Sequence, residues 1–177
     1  MRVIAGELRG RPLLAPKGRR VRPTSDRVRE AIFSALGEIG GARVADLFCG
    51  TGALGIEALS RGAGEATFVD RDLRAVRGNV EHLGLGGRSE LVGSDVVAWL
   101  GSAERGAFEL VFIDPPYRLA DRIERELDSL VPAILAPGGR VIAESAARRP
   151  LRLASLTVLR ERRYGSTQVG FLGREGP

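Results

Sequence analysis

The chain is poor in several chemically versatile residues: its 177 positions hold one cysteine, one histidine, one methionine and one tryptophan. A lone Cys49 excludes an internal disulfide. A lone His82 beside that cysteine leaves no cluster from which a zinc-type site could be built, so no metal is expected. Lysine occurs once, at Lys17, and arginine supplies the rest of the positive charge. No apolar run approaches the roughly 18 residues of a membrane span. The opening MRVIAGELRGRPLLAP lacks the apolar core of a secretory signal. What is present is a hydrophobic fraction of 44%, enough for a core in a chain of one-domain length. These features point to a soluble, cytoplasmic, monomeric protein with no membrane partner.

The net charge of +5 is unevenly placed. Residues 1–22 carry seven bases (Arg2, Arg9, Arg11, Lys17, Arg19, Arg20 and Arg22) against Glu7, a local +6. The remaining 155 residues carry 20 bases and 21 acids, a net −1. A concentrated basic segment suits phosphate. It contains the strand-like runs VIA and PLL around Arg-Gly, which predict a small hairpin rather than a featureless tail. The expected division is therefore 1–22 as a basic, RNA-contacting extension and 23–177 as the main domain.

RPTSDRVREAIFSALG then predicts a helix entered at Pro23 and Thr24, with Asp26 in its first turn. Its apolar face is expected at Val28, Ala31, Ile32, Ala35 and Leu36, and its end at Gly37. Strands at 42–48, 65–70, 89–95, 108–114 and 139–145 alternate with helices at 53–61, 72–83, 96–100 and about 120–135. LTVLRERRY and TQVGFLG, joined by Gly165-Ser166, close the chain as two strands. Alternation of this kind predicts an α/β, doubly wound, mostly parallel sheet with an antiparallel hairpin at one edge.

Between the first strand and its helix lies DLFCGTGALG, Asp46 to Gly55. Gly50, Gly52 and Gly55 satisfy G-x-G-x-x-G, which lets a ligand approach the backbone closely, and Asp70 ends the next strand where ribose hydroxyls can donate to it. A plain tight turn is the bland alternative. NAD would set a pyrophosphate at the helix start and apolar residues before the first glycine. Here Asp46 sits at the strand end instead, suited to a cationic ligand. The third strand ends in Ser94-Asp95, where the acid can accept from an adenine amino group and the Val96 N–H can bond the ring. Acids at three successive strand ends favour S-adenosylmethionine over NAD.

DLFCGTGALGIEALSRGA, Asp70, Asp95 and Asp114-Pro115-Pro116-Tyr117 occur in the order of a class I methyltransferase, with its Rossmann-like sheet. RPTSDRVREAIF and RRYGSTQV narrow the resemblance. The chain is similar, nearly end to end, to the bacterial 16S rRNA guanine-N2 methyltransferases named for nucleotide 966. That resemblance implies methylation of a guanine N2 amino group in 16S rRNA, with the small ribosomal subunit or its assembly intermediate as partner. It implies cofactor contacts from Asp46, Phe48, Cys49, Gly50, Thr51, Gly52, Asp70, Arg71, Ser94, Asp95, Val96 and Asp114. RNA contacts would come from Arg9, Arg11, Arg19, Arg20, Arg22, Thr24, Arg27 and Tyr117.

The DPPY stretch explains itself through the same chemistry. An exocyclic amino nitrogen is a poor nucleophile because its lone pair is drawn into the base. Acceptors at the nitrogen, the Asp114 side chain and the Pro115 carbonyl, can direct its hydrogens. Pro115 and Pro116 stiffen the turn and offer no competing N–H. Tyr117 can stack on a base taken out of its helix. A DNA adenine-N6 methyltransferase shares the box but usually adds a recognition domain. A non-catalytic nucleotide-binding module would leave Asp114 without a task. Cys49 is expected to line the cofactor loop, and Trp99 to pack in the core. His82 is expected at the surface or in packing rather than in catalysis. Arg148, Arg149, Arg162 and Arg163 extend the phosphate track or solvate an edge.

Overall fold

A computed structural model describes residues 1–14 and 25–174. The elements are α1 (Asp26–Leu36), β1 (Arg43–Leu47), α2 (Ala53–Ser60), β2 (Glu65–Asp70), α3 (Arg74–Leu83), a short 3-10 turn (Gly86–Arg88), β3 (Ser89–Gly93), α4 (Val96–Leu100), β4 (Phe108–Ile113), α5 (Tyr117–Ile134), β5 (Leu135–Ala146), β6 (Thr157–Tyr164) and β7 (Thr167–Gly173). They build a seven-stranded sheet in the order β3-β2-β1-β4-β5-β7-β6. The first five strands are mutually parallel, whereas β7 runs antiparallel to both β5 and β6. The doubly wound sheet expected from the alternation is present, and the closing hairpin inserts its second strand beside β5, leaving β6 at the edge.

Side-chain alternation divides the core into two layers. Val44, Phe68, Leu110, Phe112 and Ile142 face one layer with residues of α1, α2 and α3. Ala45, Leu47, Val111, Ile113 and Val141 face the other with α4 and α5. Central strands buried on both faces explain the near-continuous apolar runs in the sequence. Trp99 packs against Phe108 with ring centroids 5.9 Å apart, the core role expected for it.

Several boundaries differ from the sequence-based expectation for local reasons. Ser25 caps α1, its hydroxyl accepting from the Val28 N–H, while Pro23 and Thr24 lie outside the described residues. Gly37 ends the helix as expected. The buried face of α1 consists of Val28, Arg29, Ile32, Phe33 and Leu36, so Arg29 and Phe33 take the places expected for Ala31 and Ala35. Arg29 tolerates burial because its guanidinium donates to the Arg2 carbonyl at 2.5 Å and to Asp26 at 3.1 Å. Desolvation still lowers its pKa, opposed by Asp26 and Glu57. α5 begins at Tyr117, directly after the prolines, rather than near 120. β5 begins at Leu135 rather than near 139, because its ladder with β4 carries an irregularity between Phe108 and Leu110 that adds a first pairing at Leu135.

The N-terminal residues form the predicted hairpin in outline, with an antiparallel bridge between Arg2 and Pro12 and an exchange between Val3 and residues Gly10 and Arg11. Val3 and Leu13 are buried in the α1–α3 layer. Glu57 of α2 accepts from the Ile4 and Ala5 N–H groups at 2.8 and 3.0 Å, and Ser60 Oγ from Leu8 at 3.0 Å.

Candidate active site

Because β1 to β5 are parallel, their carboxyl ends share one edge of the sheet, the usual ligand-binding edge of such folds. Asp46 is next to last in β1, buried, and on the α1–α3 face by alternation with Val44. Its Oδ2 accepts from the Gly55 N–H at 2.9 Å. Burial pushes its carboxyl up to about 7; the Gly55 bond opposes the rise and the Asp70 charge adds to it. A carboxylate held this way gains from a cationic ligand that restores its lost solvation.

The loop between β1 and α2 is shaped by close approach. Phe48 is the one non-glycine residue with positive φ among those described, at 59°. Gly52, at φ 75°, caps α2 in the left-handed region, where other residues are strained. A Cβ on Gly55 would lie 2.4 Å from Phe68 Cε1, so only glycine lets α2 come this near β2. Cys49 is buried within the loop, and burial, then Asp46 and Asp70, pushes its thiol far above the ordinary range. Both effects disfavour the thiolate that a cysteine nucleophile needs. Thr51 contributes its carbonyl to Asn79 Nδ2 at 2.9 Å.

Asp70 ends β2 half-buried and closes the loop from the other side, accepting from the Gly50 N–H at 3.0 Å and the Asp72 N–H at 3.1 Å. A carboxylate has about four lone-pair sites, so capacity for ribose hydroxyls remains. Asp95 caps α4 by accepting from Ala98 at 3.1 Å, and Arg71 Nη2 meets its other oxygen at 2.6 Å. These bonds, the Ala98 N–H first, lower its pKa. Ser94 bonds the Asp95 carbonyl through its hydroxyl, and Val96 is buried behind it. Arg71 is 75% exposed at its side chain, so the Asp95 carboxylate can exchange that partner for another donor at little cost.

Asp114 follows the last residue of β4, with Pro115 buried and Pro116 exposed behind it. The main chain of Tyr117 starts α5; its side chain lies outside the described residues. In register, Asp46 stands beside Phe112, and Phe112 beside Ile142. Asp114 and Glu144 each lie two residues beyond those partners, on the same face as Asp46. Desolvation, then the charges of Glu144 and Asp46, hold the Asp114 carboxyl well above the usual range. Glu144, buried in β5, was not anticipated from the sequence. Its signal was there: in GRVIAES an acid occupies an inward position of an apolar alternation.

Among the described residues no group of three or more histidine, cysteine or acidic side chains is arranged to hold a metal ion. No described helix is long and apolar enough to cross a membrane.

A family model described as conserved hypothetical protein 95 matches residues 1–173. The chain belongs to that family. It is 37% identical over 99% of its length to the whole of YlbH of Bacillus subtilis (strain 168), a protein named provisionally as an rRNA methyltransferase. It is 40% identical to the ribosomal RNA small subunit methyltransferase D of Escherichia coli (strain K12), over 67% of this chain and 61% of that one. Among solved structures, yhhF of Escherichia coli, provisionally titled a methyltransferase, superposes with a TM-score of 0.81 at 34% identity, covering 100% of this chain and 99% of that one. The sheet is thus the Rossmann-like methyltransferase sheet that the motifs implied.

In this family member the arginines expected to contact RNA fall into two groups. Arg9, Arg11 and Arg27 are exposed, and Arg11 Nη2 reaches the His82 carbonyl at 3.4 Å. Arg19, Arg20, Arg22 and Thr24 lie outside the described residues. His82 itself is exposed, as expected. Arg148, Arg149, Arg162 and Arg163 are exposed too, the last two on edge strand β6.

Proposed function

We propose that the protein is an S-adenosylmethionine-dependent rRNA methyltransferase that modifies the N2 amino group of guanine 966 in 16S rRNA. One observation carries the reading: the Asp114-Pro115 turn leaves β4 beside the acid-ended, glycine-rich crossing of β1, so the residues proposed for acceptor and for cofactor share one sheet edge. The donor set fits the cofactor. Asp46 suits its ammonium or sulfonium charge, Asp70 its ribose, and Asp95 with Val96 its adenine, while the glycine backbone at 50–52 admits it without side-chain obstruction.

S-adenosylmethionine supplies an activated methyl group when bound. The chain's own residues do the rest. The Asp114 side chain and the Pro115 carbonyl draw the hydrogens of the amino group and turn its lone pair toward the methyl carbon. Once methylated by the bound cofactor, the amino nitrogen would have a proton to lose. An aspartate with a raised pKa is well matched to receive it. Tyr117 supplies a stacking surface for the extruded base, and positioning accounts for most of the acceleration. The exposed Arg9, Arg11 and Arg27 offer positive charge to the RNA backbone.

The test is incubation with methyl-labelled S-adenosylmethionine and unmodified small ribosomal subunits, followed by mapping of the labelled base. Label in guanine 966 at N2 is the expected result. Label in another base, in large-subunit rRNA alone, or in no RNA overturns the assignment.

A further inference from the structure

β6 is an edge strand, and its arginines divide between the two faces of the sheet. Arg160 stands opposite Phe171 of β7, Arg162 opposite Val169 and Tyr164 opposite Thr167. Phe171 and Val169 belong to the α1–α3 layer, and half-buried Tyr164 packs against it. Opposed residues of an antiparallel pair share a face, so Arg160 and Arg162 lie on the α1–α3 face. Glu161, the one acid of the strand, and Arg163 alternate to the α4–α5 face. β5 and β6 both run antiparallel to β7, which brings the Tyr164 end of β6 to the carboxyl edge of the sheet. Glu144 stands opposite Val169, and Val169 opposite Arg162. One row on the reacting face therefore runs from Asp114 through Glu144 and Val169 to Arg162, three strand spacings or about 14 Å. Arg160 and Arg162 are exposed, and among the described residues neither side chain makes a hydrogen bond or ion pair. Arg163, by contrast, donates through Nε to the Gly165 carbonyl at 3.0 Å.

We propose that Arg160 and Arg162 form a docking surface for the phosphate backbone of the RNA whose base enters beside Asp114. The proposal rests on the rRNA methyltransferase reading and adds a surface to it. A base taken out of its stack stays tied to its own sugar and phosphate. Its backbone must therefore lie along the surface near Asp114. On one side of Asp114 the strand ends carry Asp46 and Asp70, which attract cations and not phosphate. On the other side stand two unpaired guanidiniums. Their planar forks match phosphate oxygens, and neutralising phosphates there releases counterions. Such contacts fix where the RNA lies without reading its sequence. Arginines on an open edge also discourage another strand from pairing with it. That protective role would be served equally by arginines of either face. Phosphate docking beside Asp114 needs those of the α1–α3 face.

The experiment measures binding of unmodified small ribosomal subunits across a salt series, and methylation of the same subunits, for three proteins. These are the unsubstituted chain, the double variant Arg160→Ala with Arg162→Ala, and Arg163→Ala. All three positions are exposed, so the variants should fold. In the double variant the slope of log affinity against log salt should fall by about 0.7–0.9 for each arginine removed. Its KM for the subunits should rise, and its affinity for S-adenosylhomocysteine should stay unchanged. Arg163→Ala should leave the slope as it was. An unchanged slope in the double variant overturns the proposal. So does an equal fall per arginine in Arg163→Ala, which would make the effect one of net charge. A chain that is dimeric without RNA and monomeric as the double variant also overturns it, since β6 would then serve a second copy. Failure of the unsubstituted chain to methylate any RNA overturns the functional reading instead.

Discussion

The two edges of the sheet handle charge in opposite ways. At the amino edge, Arg43 gathers acids from several elements: its guanidinium meets Glu65 at 2.5 Å and Glu104 at 3.1 Å, and its N–H donates to Glu109 at 2.7 Å. Its pKa is raised, chiefly by the bond to Glu104. At the carboxyl edge, Asp46, Asp114 and Glu144 lie on one face; burial first, then like charge, pushes Asp46 and Asp114 upward, the charge coming from Asp70 for Asp46 and from Glu144 and Asp46 for Asp114. A sheet needs its ends tied, and opposite charges at the surface serve that modestly. Bringing carboxylates together does not stabilise a fold; it prepares groups to titrate or to receive a cation. That contrast supports the carboxyl edge as the one proposed to receive ligands.

Substitutions can break this contrast, and the largest effect belongs to Asp114. Asp114→Ala should lower kcat about a hundredfold, the usual scale for one oriented polar group lost from a transition state, with cofactor binding little changed. Single-turnover methylation measures it; a kcat within twofold of the original would show that the carboxyl cluster is not the reacting edge.

Asp46 comes next, through pH. A cationic cofactor prefers its ionised form, whose pKa without ligand is about 7. Cofactor affinity should therefore rise about tenfold per pH unit up to that value and then level. The stability of the ligand-free protein should move the other way. The folded pKa lies above the unfolded one, so the contribution is complete below the unfolded value near 3.8 and disappears as pH rises through about 7. Asp46→Asn should flatten both profiles, as seen by calorimetry and by thermal melts across that range.

The basic segment gives a smaller effect. Neutralising Arg9 and Arg11 together should reduce the slope of log affinity for RNA against log salt by up to about 0.7–0.9 for each phosphate no longer neutralised, leaving cofactor affinity alone. An unchanged slope would make these side chains mere solvation. Smallest of all, Arg43→Ala at the amino edge should cost at most about 1 kcal/mol of stability in urea titrations and leave turnover unaltered, since its partners Glu65 and Glu104 are solvent-exposed.

Strands, helices and strand-end acids were legible because they obey local rules: alternation, glycine spacing and turn chemistry. β2 and α4 match their expected limits, 65–70 and 96–100. What escaped sequence reasoning depends on contacts between distant segments. Arg29 looks like an exposed helix arginine until Arg2 supplies a buried carbonyl for it. Glu144 looks like the polar end of a strand until register places it near Asp114. Asn79 carries no local signal, since its partners Leu14 and Thr51 are 65 and 28 positions away. The basic segment was readable as charge, but its attachment through Glu57 and Ser60 was not, because those residues read as ordinary helix polar positions.

That attachment also bears on how the chain reaches its fold. The bonds that fasten the main chain of residues 4–14 to α2 and α3 span 52 to 65 positions. During synthesis at about 5–20 residues per second, Leu14 waits roughly 3–13 s for Asn79 to be made. Loop closure over such distances must also be paid before any of these bonds stabilises the structure. Residues 4–14 should thus become protected from hydrogen exchange during refolding no earlier than α2 and α3, whose side chains hold them.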